Sequence, residues 1–456
     1  MMAHDESPDT KRAKMEVKNE MISTGITTTC KFFVKRKKRY CKLTPAHGEE
    51  YCGEHMPVTT LPPDTIDTTD SINKHKVRVP CPLDPKHTVC ARKLHKHLKI
   101  CNAVEKDRPN YIVPGLNAGK DDDEAIDNQT DFKLTDVDKD TVDKIVEKVN
   151  KLYALHKIEE KIDELTVRHP LLASEINNTE YGHETVRHLI QTSIVLGYLD
   201  HFKLFDDHIS YVEYGAGKGQ VAFWLAKAIT NYPNSNVLLI DRASVRHKKD
   251  NKLDDSHAVQ RIRADIADFD ISAHSLIQNS KKIVGIGKHL CGAATDFAIQ
   301  CSIHGNNAVK DGDNGPKTIA MLIALCCHHR CEWKHLVGKE FFSQNDVSAK
   351  EFAIITKMVG WAICGTGMSR EKRKQMNEQH ANDGSTADDL VKEEDPNSGK
   401  RDRHQRKEIG QKCKRLIDYA RICYMQQNGF NCSLKRYVSS DITLENICLV
   451  AIHENQ

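Results

Sequence analysis

The chain has 456 residues, a net charge of +3 and 16 cysteines. Its length allows roughly two to four domains. No apolar stretch approaches the length of a membrane span, and the N-terminus lacks the apolar core of a secretory signal. We therefore expect a soluble protein of the cytoplasm or the nucleus, whose cysteines are reduced, buried or bound to metal rather than paired in disulfides.

Two clusters of cysteine and histidine lie near the N-terminus, and each supplies four ligands, enough to close a tetrahedral zinc site. The flanking segments are too short to bury a core, so metal binding would supply their folding free energy. The predicted ligands are Cys30, Cys41, Cys52 and His55 in the first cluster and Cys81, His87, His97 and Cys101 in the second. Cys90 and His95 stay open as substitutes in the second cluster, and buried cysteines beside scattered surface histidines are the alternative without metal.

Basic and aromatic side chains crowd both clusters. The basic positions are 35–39 in the first cluster and 74, 76, 78, 86, 92, 93, 96 and 99 in the second, and Phe32, Phe33, Tyr40 and Tyr51 surround the first run. Cationic side chains contact phosphates and aromatic rings stack on bases. The pattern therefore predicts two RNA-binding fingers, at 26–57 and 76–104, after a disordered tail at 1–25. A solvated face or a localisation signal is the alternative for the lysine run.

One linker-like segment separates the fingers, and an acidic linker and helical segments follow them. Residues 57–70 are rich in proline and threonine, and residues 105–140 are expected to form an acidic linker. From Thr141 to Leu165 apolar residues recur every three or four positions, which predicts an amphipathic helix that packs on its own domain rather than in a coiled coil. A second helix is expected from His183 to Leu199, so residues 141–200 form a helical segment.

From residue 201 to 456 the pattern alternates between strands and helices, which is typical of a doubly wound parallel sheet covered on both faces. An antiparallel edge hairpin is expected at the C-terminus, and a variable charged insertion at 369–406. The predicted strands are 209–214, 236–240, 260–264, 282–287, 318–325, 431–437 and 447–452, and the predicted helices are 220–230, 293–302 and 409–428.

A glycine-rich turn follows the first of these strands. Gly215, Gly217 and Gly219 alternate after Glu213, a spacing that fits neither the dinucleotide fingerprint nor the phosphate-binding P-loop. An acid followed by alternate glycines is instead typical of S-adenosylmethionine methyltransferases, in which backbone amides approach the amino-acid part of the cofactor. Asp241 and Asp265 are expected to close the next two strands, where they would meet the ribose hydroxyls and the adenine amino group.

Two further strings make the resemblance specific: Lys288 to Asp296 (KHLCGAATD) and Ala324 to Cys331 (ALCCHHRC). Together with the two fingers, they are similar to the eukaryotic tRNA:m4X modification enzymes, over about residues 26–453. The resemblance implies an α/β fold, a class I methyltransferase with a Rossmann-like doubly wound sheet preceded by two small zinc fingers. It also implies S-adenosylmethionine as donor, two structural Zn²⁺ ions and 2′-O-methylation of nucleotide 4 in the acceptor stem. The implied targets are cytidine in glycine and proline tRNAs and adenosine in histidine tRNA.

Ribose methylation needs a group that accepts the hydroxyl proton or steadies the oxyanion. Lys288 and His289, after the fourth strand, are the first candidates, and His328 and His329, after the fifth, are next. A capping or core role is the alternative for each histidine. Cys326 and Cys327 raise the alternative of cytosine C5 methylation, but neither follows a Pro or a Thr, as it would in the usual Pro-Cys and Thr-Cys contexts.

Three other hypotheses stay open. A third zinc site could use Cys326, Cys327, His328, His329 and Cys331, although such close ligands are atypical. The enzyme could methylate a protein or a small molecule, and the chain could be a non-catalytic zinc-finger RNA adaptor. Neither a membrane nor DNA is expected as a partner, and the sequence does not predict the oligomeric state.

Overall fold

The computed structural model describes residues 29–34, 39–45, 50–52, 55, 78–101, 108–119, 132–245, 248–254, 258–309, 315–363 and 403–454. The predicted tail at 1–25, the linker at 57–70, the basic residues at 35–38 and most of the charged insertion lie outside these residues. The chain divides into two units, Met1–Arg108 and Pro109–Gln456.

Among its described residues, the first unit contains two short antiparallel hairpins and one short helix. The pairs are β1 with β2 and β3 with β4. The bounds are β1 Phe33–Val34, β2 Arg39–Tyr40, β3 Arg78–Cys81, β4 Asp84–Cys90 and α1 Leu94–Leu98. The buried cluster of the first hairpin consists of three cysteines, Cys30, Cys41 and Cys52. A segment with so little apolar core needs another source of stability.

The second unit contains an eight-stranded sheet with helices on both faces. Its strands are β5 Ile162–Glu164, β6 Ile209–Tyr214, β7 Asn236–Ile240, β8 Val259–Ile262, β9 Lys282–Cys291, β10 Lys317–Cys326, β11 Phe430–Arg436 and β12 Ile447–His453. Its main helices are α2 Lys139–Leu155, α3 His183–His201, α4 Gln220–Ala228, α5 Ala293–Ala308, α6 Lys339–Gln344, α7 Ala349–Met358 and α8 Arg403–Gln427.

The spatial order of the strands is β5-β11-β12-β10-β9-β6-β7-β8. The five strands from β10 to β8 are parallel neighbours, whereas β12 runs antiparallel between β10 and β11. Successive residues of β6 enter different cores, since Tyr211 packs in one apolar cluster and Val212 in another. The central strands are therefore covered on both faces, as their unbroken apolar runs predict.

The sequence predicted the bounds of β6 and β7 correctly, and the doubly wound sheet is confirmed. The single helix expected from Thr141 to Leu165 is wrong at its end, because α2 stops at Leu155 and Lys157 adopts a left-handed φ of 48°. Ile162 belongs instead to strand β5, which pairs with β11. The C-terminal hairpin is consequently not at the edge of the sheet.

Part of the expected acidic linker packs on the sheet domain. The Val113 backbone N–H donates to the Asp268 carbonyl at 2.8 Å. The Asn117 side-chain amide donates to the carbonyls of Ile266 and Phe269 at 2.7 and 2.8 Å. Residues 109–119 are therefore an ordered strap and not a free spacer. Among the described residues, no helix is both long and apolar enough to cross a membrane.

Candidate active site and zinc centres

The turn between β6 and α4 requires glycine for two reasons. Gly215, Gly217 and Gly219 have φ values of 64°, 51° and 69°, a left-handed region that side chains disfavour. A Cβ atom on Gly215 would lie 2.7 Å from Leu290 Cδ2, and one on Gly219 would lie 2.5 Å from Asp250 Oδ1. Gly217 has open space in the same position. The turn thus presents bare backbone at the carboxyl end of β6.

Glu213, the acid before the turn, is buried and joins the strand to the following helix. Its Oε2 accepts a hydrogen bond from the Ala222 backbone N–H at 2.9 Å. Burial raises the pKa of Glu213 to about 7, against the attraction of Lys288 and Arg261. The carboxyl group can therefore exchange its proton near neutral pH.

A partly buried ion pair that the sequence did not reveal contacts the turn. Arg261, on β8, donates to both carboxylate oxygens of Asp250 at 2.8 Å. Its third nitrogen donates to the Gly217 carbonyl at 3.1 Å. The two parallel hydrogen bonds to Asp250 hold the Arg261 guanidinium in one orientation, and its bond to the Gly217 carbonyl therefore fixes the position of the turn.

Asp241 and Asp265 occupy different positions relative to their strands. Asp241 directly follows β7, and its carboxylate accepts from the backbone N–H groups of Gly217 and Ala243, both at 2.7 Å. Since an ionised carboxylate has about four acceptor positions, it retains acceptors for ribose hydroxyls. Asp265 lies three residues beyond the end of β8, so its expected position at a strand end is wrong. It caps a 3₁₀ turn by accepting from the Ala267 N–H at 3.1 Å.

Gln220 offers a test of whether the turn fits a bound cofactor. It is the first residue of α4, and its side-chain Nε2 is buried without a hydrogen-bond partner among the described residues. A buried donor left unsatisfied costs about 1–3 kcal/mol. A ligand carboxylate at this helix N-terminus would accept that bond and the adjacent backbone N–H groups. The residues present therefore fit S-adenosylmethionine.

Lys288 and His289 meet two side chains of α3. Lys288 Nζ lies 3.5 Å from His188 Nδ1, and His289 Nε2 lies 3.2 Å from Gln191 Oε1. Burial lowers the pKa of Lys288 to about 8 and that of His289 to about 4. His289 also has a left-handed φ of 62°. The sequence predicted Lys288 and His289 at this position but not their partners on α3. Gln191, a polar residue on the buried face of α3, was the signal that could have revealed these partners.

His328 does not join this group. Its side chain is fully buried, and its Nε2 lies 2.5 Å from Asp418 Oδ1 on α8. Because no part of the ring reaches the surface, the structure favours a positioning role for His328 over the expected catalytic one. His329 is exposed and lies in the same turn after β10.

Asp418 belongs to a buried network that links α8 to the two signature strings. Arg421 donates to Asp296 through Nη2 at 2.6 Å and Nε at 3.1 Å, and both side chains are 1% exposed. Arg421 also donates to Cys331 Sγ at 3.2 Å, and Arg415 pairs with Asp418 at 2.8 Å. Asp296 and Cys331, from different strings, are therefore held by one guanidinium.

The eight predicted metal ligands come together in two groups of four. Within each group all ligand atoms lie within 4.8 Å of one another. Around a tetrahedral zinc ion, ligand atoms lie about 3.3–3.8 Å apart, given bonds of ~2.0–2.3 Å. Cys41 and Cys52 Sγ are 3.9 Å apart, and Cys81 and Cys101 Sγ are 3.7 Å apart.

Histidine nitrogens complete both groups. His55 presents Nδ1 at 3.6 Å from Cys30 Sγ and 3.3 Å from Cys52 Sγ. His87 and His97 present Nε2 atoms 3.0 Å apart. Both groups therefore fit Zn²⁺, and neither includes Cys90 or His95.

The sequence also matches known families. Residues 190–452 match the family described as Methyltransferase TRM13. Residues 28–56 match the CCCH zinc finger in TRM13 protein, and residues 78–102 match the U11-48K-like CHHC zinc finger. The solved structure of coclaurine N-methyltransferase aligns with 70% of this chain and 96% of its own at 11% identity, but its TM-score of 0.24 supports no conclusion.

Curated relatives match over nearly their whole length. The tRNA:m(4)X modification enzyme TRM13 homolog of Mus musculus is 32% identical over 94% of this chain and 95% of its own. The human homolog is 32% identical over 93% and 94%, and the Saccharomyces cerevisiae enzyme is 28% identical over 99% of each chain. The resemblance inferred from the sequence and the fold class are therefore confirmed. The chain belongs to the TRM13 methyltransferase family, with a methyltransferase domain preceded by two zinc fingers.

Proposed function

We propose that the protein is a tRNA 2′-O-methyltransferase that transfers a methyl group from S-adenosylmethionine to the ribose of nucleotide 4. The targets would be cytidine 4 in glycine and proline tRNAs and adenosine 4 in histidine tRNA. The names of the curated relatives support tRNA as the substrate. The observation that carries the proposal is Lys288, whose amine has a lowered pKa at the mouth of the sheet, beside the glycine turn's acid Glu213.

One set of residues would bind S-adenosylmethionine, and another would deprotonate the ribose hydroxyl. Gly215, Gly217 and Gly219 expose backbone to S-adenosylmethionine, and Glu213, Asp241 and Gln220 offer it acceptors and a donor. Asp265 would reach the adenine amino group from its 3₁₀ turn. When bound, S-adenosylmethionine supplies an activated methyl group.

Lys288 is the proposed proton acceptor. As the ribose oxygen bonds to the methyl carbon and the carbon–sulfur bond breaks, the neutral Nζ takes the hydroxyl proton. A base of this kind contributes about 10²–10⁴-fold. His289 would orient the ribose from the same turn, since its Nε2 is anchored by Gln191. His188 Nδ1, 3.5 Å from Lys288 Nζ, would help to hold the amine in place.

The fingers are proposed to bind the acceptor stem. Phe33 and Tyr40 are 45% and 63% exposed and contact each other edge to face, beside the basic run. Phe32 stacks on His55 at a centroid distance of 4.0 Å, so a proposed zinc ligand also orders the aromatic surface. An A-form major groove is too narrow to read, which leaves phosphates, ribose and stacking as contacts. Two structural Zn²⁺ ions, held by the eight ligands above, complete this proposal. Residence in the cytoplasm or the nucleus stays a prediction.

The decisive experiment uses the full-length protein, labelled S-adenosylmethionine and synthetic tRNA carrying a 2′-deoxy sugar at nucleotide 4. We expect no methyl incorporation into this tRNA, full incorporation into a control with the deoxy sugar at nucleotide 3, and a 2′-O-methylnucleoside after digestion of unmodified tRNA. Methylation of a base, or incorporation that survives the deoxy substitution at nucleotide 4, would contradict the proposal.

Finger binding is tested separately by tRNA affinity. We expect Tyr40→Ala to raise the Kd for tRNA about 5-fold or more, since each stacked base contributes about 1–3 kcal/mol, while S-adenosylmethionine binding stays unchanged. Leu43→Ala is the matched control, because Leu43 is 52% exposed in the same finger but has no aromatic ring. Equal tRNA affinity for Tyr40→Ala and the native protein would favour a protein or small-molecule substrate.

A further inference from the structure

Three thiols outside the fingers converge at the carboxyl ends of two neighbouring strands. Cys291 ends β9, Cys326 ends β10 and Cys327 follows directly. Cys291 Sγ lies 3.9 Å from Cys326 Sγ and 3.3 Å from Cys327 Sγ, and all three sulfurs lie within 4.8 Å of one another. The Cys291–Cys326 distance matches that of one sulfur pair in each finger, 3.9 and 3.7 Å, whereas the Cys291–Cys327 distance is shorter.

We infer that Cys291, Cys326 and Cys327 form a third metal site, which binds Zn²⁺ through three thiolates. Soft thiolate ligands select zinc among the available divalent ions. Three protein ligands leave a fourth position open to solvent, unlike the closed fingers. Cys291 and Cys327 are half-buried, so the site is reachable, whereas Cys326 is 4% exposed. This inference does not depend on which substrate the enzyme methylates.

The backbone supports the same conclusion independently of the sulfur distances. Adjacent residues of a strand point to opposite faces, so Cys326 and Cys327 could not share an ion in extended backbone. Cys327 instead adopts a left-handed φ of 50°, which turns its sulfur back toward Cys291. Such a conformation costs about 1–3 kcal/mol outside glycine and persists where its surroundings impose it.

A second left-handed residue adjoins the cluster. His289 has a φ of 62°, and Cys291 Sγ lies 3.6 Å from the His289 carbonyl. A metal ion held by Cys291 and Cys327 would therefore fix both turns that border the active site. The ligand set differs from the one that sequence proximity suggested, because His328 is bound to Asp418 and Cys331 to Arg421. The third ligand comes from a strand that is neighbouring in space.

The test is the zinc content of the full-length protein, purified with reductant in the presence of zinc and measured by elemental mass spectrometry. We expect three equivalents for the native protein and two for Cys291→Ser and Cys327→Ser. Cys432→Ser is the matched control with three equivalents, since Cys432 is half-buried on β11 and lies outside the cluster. Two equivalents in the native protein, unchanged in Cys291→Ser, would overturn the inference.

A measurement on the native protein guards against variants that fail to fold. Cys291 and Cys327 should resist alkylation by iodoacetamide until a zinc chelator is added, as read by mass spectrometry of the peptides. We expect their alkylation rates to rise at least tenfold with chelator, while that of Cys432 stays constant. Equal rates for Cys291 and Cys327 with and without chelator would overturn the proposed site.

Discussion

Removal of the Arg421 guanidinium tests whether the buried network holds the catalytic half of the sheet together. In Arg421→Met, the Asp296 carboxylate loses bonds of 2.6 and 3.1 Å and keeps a distant donor, the Val337 N–H at 3.4 Å. Asp296 is 1% exposed, so its charge stays out of water. Breaking a buried pair in this way costs about 3–5 kcal/mol, whereas Asp418 retains Arg415 and His328.

The assay is urea unfolding followed by tryptophan fluorescence. The three tryptophans of the chain, Trp224, Trp333 and Trp361, all lie in the second unit, so the signal excludes the fingers. We expect the free energy of unfolding to fall by about 4 kcal/mol at constant m-value. Adding Asp296→Asn should restore about 2 kcal/mol, because the orphaned charge is removed.

A surface ion pair provides the control for this assay. Lys435 and Asp163 are 2.6 Å apart, but the Asp163 side chain is 62% exposed. Lys435→Met should therefore cost less than about 1 kcal/mol. A loss below about 1 kcal/mol in Arg421→Met, or a double variant no more stable than the single one, would refute the reasoning.

Three further predictions concern the glycine turn and its acid and base. Gly219→Ala should destabilise the domain more than Gly217→Ala. Both place a side chain on left-handed backbone, which costs about 1–2 kcal/mol, but only the Cβ at position 219 displaces Asp250. Equal urea midpoints for the two variants would contradict this prediction. Burial lowers the pKa of Lys288 to about 8, while Glu213 raises it and Lys249 lowers it. If neutral Lys288 is the base, the methylation rate should therefore rise with pH through about 8. Lys288→Arg should abolish this rise of the rate with pH and lower kcat about 10²–10⁴-fold. A native rate that is constant from pH 6 to 9 would exclude Lys288 as the base. Folded Glu213 binds a proton between pH 4.5 and about 7 that the unfolded chain releases. Stability should therefore fall as pH rises through that window, by about 3 kcal/mol relative to Glu213→Gln, and parallel stability curves would disprove the shift.

The sequence predicted those features that depend on neighbouring residues. The unbroken apolar run from Ile209 to Tyr214 requires cover on both faces, and it has the predicted bounds. Alternate glycines after Glu213 indicated a left-handed turn, and all three adopt one. The finger cysteines could be grouped because their short segments contain little else to bury.

The features that the sequence did not reveal join residues far apart in the chain. Arg421 and Asp296 are 125 positions apart. No local pattern in the sequence shows which face of α8 packs against the start of α5. His328 seemed to be at a strand mouth, but the 3₁₀ turn after Cys327 buries its ring against α8. The end of α2 was missed because the apolar spacing continues into β5, where it serves a strand.

The position of β12 has a consequence for how the protein is made. This strand, Ile447–His453, fills the slot between β10 and β11, although β6 is synthesised more than two hundred residues earlier. Until β12 leaves the ribosome, β10 can pair only with β9, and its other edge is open to association with other chains. A truncation before residue 447 should therefore produce aggregates rather than a shortened enzyme.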